Sequence, residues 1–78
     1  MNTLHAQFVS FTDKGETAEM LTSLGKRLKS QLNCTIAEPR VIDKGWVLDA
    51  WIKMGVMSLK EAHQEASKVG EIYKYALE

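Results

Sequence analysis

The tripeptide Asp43-Lys44-Gly45 is followed by nine residues of strict alternation, and the rest of the chain must be arranged around that pair of features. Glycine at the end of so short a connection supplies the positive φ that a hairpin needs. Beyond it Trp46, Leu48, Ala50, Ile52 and Met54 alternate with Val47, Asp49, Trp51 and Lys53, the period of a strand with one face in a core. A hairpin needs a preceding strand, and Cys34 to Ile42 is rich enough in β-favouring residues to provide it. Pro39 cannot donate to a ladder, so it belongs at an edge, at a bulge or just beyond the pairing.

A further strand is predicted over Leu4 to Phe11, where Leu4, Ala6, Phe8 and Ser10 alternate with His5, Gln7, Val9 and Phe11. Asp13 with Glu16 three residues on has the spacing of a capping box that opens a helix. In that helix Thr17, Met20, Leu21, Leu24, Leu28 and Leu32 step by three and four along one stripe. Acids open the helix and bases close it, matching the macrodipole, and Asn33 is placed to cap its end. Gly25 in its middle costs on the order of 1 kcal/mol relative to alanine and points to a close approach to the sheet. Ser58-Leu59-Lys60-Glu61, with Met57 before it as a staple, opens a second helix. Its stripe is predicted to run through Leu59, Ala62, Ala66, Val69, Ile72, Tyr73 and Ala76.

These elements predict an α+β fold in βαββα order over residues 1–78. It is a small two-layer sandwich, a three-stranded sheet with both helices on one face. The order is similar to a truncated ferredoxin-like arrangement, which by itself implies no function. At 78 residues the chain forms one domain around a single small core. With 45% hydrophobic and 26% charged residues, it is too apolar for disorder and too interrupted by charge for a membrane span.

Ten basic and ten acidic side chains cancel, four of each sign in residues 1–39 and six of each in residues 40–78. Phosphate backbones are bound chiefly by excess lysine and arginine, so the balance disfavours a dedicated nucleic-acid coat protein. The one basic cluster, Lys26, Arg27 and Lys29, reads as the solvated end of a helix. Cys34 is the only cysteine, so no intramolecular disulfide forms, and with no secretion-signal pattern at the start the expected setting is the cytoplasm.

Parity then decides what the helices leave uncovered. If Trp46, Leu48, Ile52 and Met54 face the helices, Val47, Asp49, Trp51 and Lys53 face away, and burying Leu4, Ala6 and Phe8 sends His5, Gln7, Val9 and Phe11 the same way. Val9, Phe11, Val47 and Trp51 are thus predicted to form an apolar patch framed by His5, Gln7, Asp49 and Lys53. An aromatic-centred patch with a polar rim has the composition of an interface, and pairing of open sheet edges or faces in a homodimer would cover it. The expected interface set is Val9, Phe11, Val47, Trp51, Lys53, Tyr73 and Tyr75.

Catalytic patterns are missing from the sequence. His5, His63 and Cys34 have no metal-ligand spacing, no serine sits in a nucleophile elbow, and the five glycines are scattered rather than forming a phosphate cradle. The expectation is a non-enzymatic protein-interaction module without a cofactor, a small self-associating regulatory or inhibitory protein. In size it resembles small inhibitors of phages and mobile elements. The alternative is a single-stranded nucleic-acid or nucleotide binder that stacks bases on Phe11 and Trp51 beside Lys53.

Overall fold

The computed structural model describes residues 3–10, 17–43 and 45–78. Over these residues it is an α+β fold with two helices and a five-stranded antiparallel sheet. In chain order the elements are β1 (Thr3–Ser10), α1 (Thr17–Gln31), β2 (Cys34–Ile36), β3 (Arg40–Ile42), β4 (Gly45–Lys53), α2 (Leu59–Val69) and β5 (Ile72–Leu77). Phe11, the proposed cap at Asp13 and Glu16, and Lys44 of the hairpin lie outside the described residues.

The sheet runs β2-β4-β1-β5, with β3 also paired to β4. Strands β2 and β3 occupy one edge in succession. They are the expected strand 34–42, broken where Pro39 interrupts the ladder, and the Ala37 N–H still reaches the Asp49 carbonyl at 3.0 Å. Strand β4 has Gly45 at φ 137, the left-handed turn conformation that glycine permits. From Trp46 to Lys53 it then pairs with β1, Leu4 opposite Ile52 and Phe8 opposite Leu48. Because β1 and β2 are both antiparallel to β4, and β4 and β5 are both antiparallel to β1, each helix joins two parallel strands across an intervening one. That is the split βαβ connectivity of the ferredoxin-like arrangement, here complete rather than truncated.

The expected three-stranded sheet and βαββα order need correction at the C-terminal end. The second helix stops at Val69, where the Gly70 N–H bonds the Ala66 carbonyl at 3.3 Å, and residues 72–77 form β5 on the free side of β1. Ile72, Tyr73 and Ala76 therefore belong to a strand. Their spacing fits a helix, but Gly70 breaks it, and Ile72, Tyr73 and Tyr75 are residues that suit a pleated surface.

Leu21, Leu24 and Leu28 of α1, and Ala62 and Ala66 of α2, cover the face of the sheet formed by Leu4, Ala6, Phe8, Leu48, Ala50 and Ile52. The first helix departs from its expected stripe at Met20, which is 60% exposed. Gly25 makes the predicted close approach, since a Cβ there would lie 3.0 Å from Ile36 Cγ2 and 3.5 Å from Leu48 Cδ2. Helix α2 starts as its sequence indicates, the Ser58 hydroxyl accepting from the Glu61 N–H at 3.2 Å.

Candidate functional site on the open sheet face and its free edge

Both helices lie on one side of the sheet, so the functional question concerns the other side and the two edges. Alternation along β1 and β4 puts His5, Gln7 and Val9 beside Val47, Asp49, Trp51 and Lys53 on the side away from the helices. Their chemistry is not that of a bare apolar patch. Val9 and Val47 are 8% and 1% exposed, so these two expected interface residues are buried within the protomer. The expected patch is therefore not open at these two positions.

A polar network holds the centre of that face. The Asp49 carboxylate, in a residue only 5% exposed, accepts hydrogen bonds on Oδ1 from Gln7 Nε2 at 3.0 Å and on Oδ2 from Arg40 Nε at 2.9 Å. Nε2 of His5 lies 2.9 Å from the same Oδ1, and Nδ1 of His5 lies 3.0 Å from Oε2 of Glu78. Arg40 reaches Asp49 because β3 places it opposite Val47, one pair from Asp49 on the same face. Burial pushes the Asp49 carboxyl up, but the hydrogen bonds from Arg40, Gln7 and His5, with the Arg40 charge, outweigh it and hold the group below the ordinary range.

Trp51 is half-buried and carries the His5 ring stacked on it, centroids 4.6 Å apart and planes 11° from parallel. The His5 imidazole thus sits between two carboxylates with one face on an indole, an arrangement that fixes its position. It also separates Asp49 from Glu78, so the two acids do not converge on a common ion. Among the described residues no group of three His, Cys, Asp or Glu is placed to hold a metal. The Cys34 thiol is half-buried at the start of β2, and burial pushes it up against the opposing pull of Lys29.

Tyr73 stands at a register shift in the β1–β5 pair, where Gln7 opposes Lys74 but Phe8 opposes Ile72. It lines a shallow cleft on the open face with Gln7, Arg40 and Lys74, and the Lys74 ammonium lies 5.4 Å from the Tyr73 ring centroid. Tyr75 lies on the opposite side of the same strand, its ring 4.6 Å from that of His63 on α2. The seven residues expected as an interface therefore do not make one surface. Val9, Val47, Trp51, Lys53 and Tyr73 face away from the helices, Tyr75 faces toward them, and Phe11 lies outside the described residues.

The outer edge of β5 is a surface that residue spacing does not indicate, because the same residues also fit a helical step. Thr3 and Glu78 exchange backbone hydrogen bonds of 3.3 and 2.8 Å, which makes theirs a hydrogen-bonded pair and fixes the alternation along the strand. Lys74 and Ala76 then turn their backbone N–H and C=O toward β1, whereas Tyr75 and Leu77 turn theirs outward, where the sheet order has no further strand among the described residues. The same two residues are 51% and 52% exposed. No helix among the described residues is long and apolar enough to cross a membrane. The chain matches no protein-family model, no curated protein and no solved structure with which it was compared.

Proposed function

We propose that this protein is a non-enzymatic interaction module, a small regulatory or inhibitory protein that associates with itself and acts by engaging a macromolecular partner. The observation that carries the reading is the β5 edge, where outward backbone groups and the half-exposed side chains of Tyr75 and Leu77 coincide. An edge of this length without proline is a template for another strand, and proteins that keep such an edge in solution cover it. Tyrosine beside an aliphatic residue is also a common anchor composition at interfaces.

The test is sedimentation velocity over a wide concentration range, for the wild type and for Tyr75→Pro. Proline at this position removes an N–H that points outward and leaves the bonds to β1 in place, so the protomer keeps its fold while association is lost. A wild type that stays monomeric at the highest concentration defeats the reading.

A second reading, binding of a single-stranded nucleic acid or nucleotide through the open face, has the support of Arg40 and Lys74 around the cleft beside the Tyr73 ring. Asp49 and Glu78 on the same face oppose it by repelling phosphate. A phosphate-tracking surface loses affinity steeply with added salt, and Arg40→Ala would flatten that dependence.

A further inference from the structure

We infer that the occupant of the β5 edge is the β5 strand of a second copy, running antiparallel in the register that sets Ala76 opposite Ala76 about a two-fold axis. The inference rests on the self-association proposed above and adds the contact that would mediate it.

The strand itself selects this register. A two-fold axis perpendicular to the sheet keeps both sets of helices on one side, and residues that point outward must pair with residues that point outward. Centred on Ala76, Tyr75 of each copy exchanges both backbone bonds with Leu77 of the other, satisfying the outward groups of these two residues. Their side chains, each about half exposed in the protomer, then become direct cross-strand neighbours. On the open face the same register puts Lys74 of each copy opposite Glu78 of the other, a charge-complementary pair on either side of the axis. Ala76, at the centre, is the smallest side chain of the strand and lets the two backbones approach in a non-hydrogen-bonded pair.

Neighbouring registers lose these features. Centring on Lys74 sets two ammonium groups against each other and draws the irregular position at Tyr73 into the ladder. Centring on Tyr75 opposes Lys74 to Ala76 and again involves Tyr73. Centring on Leu77 opposes Glu78 to Ala76 and leaves Lys74 without its acid. Lysine on an edge ordinarily guards it against pairing, and only the Ala76-centred register turns that guard into an attraction.

The experiment uses the full chain with Cys34→Ser, so that an introduced cysteine is the only thiol. Ala76→Cys in this background places two Cβ atoms within the range a disulfide spans in a non-hydrogen-bonded pair, and mild oxidation is expected to yield a covalent dimer. Ser67→Cys, on the exposed side of α2, is expected to remain monomeric on the same gel. In parallel, Lys74→Glu and Glu78→Lys each weaken the dimer about tenfold by sedimentation, and the double exchange restores it. Circular dichroism of each variant separates a lost contact from a lost fold. If the wild type sediments as a dimer but Ala76→Cys does not cross-link and the double exchange does not rescue, this register is overturned while self-association stands. If the wild type is monomeric throughout, both fall.

Discussion

His5 Nε2 and Asp49 Oδ1 meet at 2.9 Å on a diagonal of the β1–β4 ladder, since His5 is paired with Trp51 and Asp49 with Gln7. The diagonal contact lets one carboxylate gather groups from two strands, Gln7 and His5 from β1 and Arg40 from β3, while itself standing on a third, β4. The open face is thereby tied together by polar contacts where the helix side is tied by apolar packing. These contacts to Asp49 favour its ionised form.

The first prediction concerns acid. The folded-state pKa of Asp49 lies below the unfolded value of about 3.9, so its contribution to stability is present above about pH 4 and is lost as pH falls through the folded value. Asp49→Asn is expected to destabilise the protein by about 1–2 kcal/mol at pH 7, because Arg40 and His5 lose a charged acceptor. In urea titrations the gap between wild type and variant closes as pH falls below about 4 and through the lowered folded-state value. A gap of constant size over that range would mean that the ionised carboxylate is not what the variant lacks.

Gly70 is expected to resist side chains for reasons of space. Its φ of −165 is extended backbone open to any residue, but a Cβ would stand 2.9 and 3.0 Å from the two Leu24 methyls and 3.3 Å from Phe8 Cδ1. Phe8 is fully buried and Leu24 nearly so, which leaves little room to move. Gly70→Val should cost about 2 kcal/mol by chemical denaturation, with Gly70→Ala milder because it adds the Cβ alone. Equal stability of valine and glycine here would show that the α2–β5 junction is looser than described.

At the other end of α2, Ser58→Ala removes the hydroxyl that accepts from the Glu61 N–H. The expected loss is about 1 kcal/mol, or a fall in Tm of several degrees for a domain of this size. Ser58→Asp restores the acceptor and adds a favourable charge at the helix start, and should recover most of the difference. Thermal melts of the three proteins check the order.

What could be read in advance divides along local and non-local lines. The turn ending at Gly45, the side of the sheet on which Trp51 lies, the broken edge strand at Pro39 and the Ser58 cap all follow from spacing within a few residues. Strand β5 escaped because Val69, Ile72, Tyr73 and Ala76 also satisfy a helical step, and the helix pattern ahead of them was strong. Gly70, followed by Ile72 and Tyr73, carried the competing information. Parity brought His5, Gln7 and Asp49 to one face, but the partners Glu78 and Arg40 required the strand order, which residue spacing does not encode. Val9 and Val47 lie on the face that parity assigns them, but alternation along two strands carries no information on what stands beside that face, and both are buried.

The last prediction follows from alternation along β5 and needs no mutation. At concentrations low enough to keep the protein monomeric, the amides of Lys74 and Ala76 point to β1 and exchange slowly, while those of Tyr75 and Leu77 point to solvent and exchange fast. Raising the concentration is expected to slow exchange at Tyr75 and Leu77 and to leave Lys74 and Ala76 little changed, because a second strand satisfies only the outward set. Amide-resolved exchange followed by NMR reads both states in one series. A β5 whose four amides change together would point to folding of the whole strand on association, and one whose outward amides stay fast at every concentration would remove the edge as the place where two copies meet.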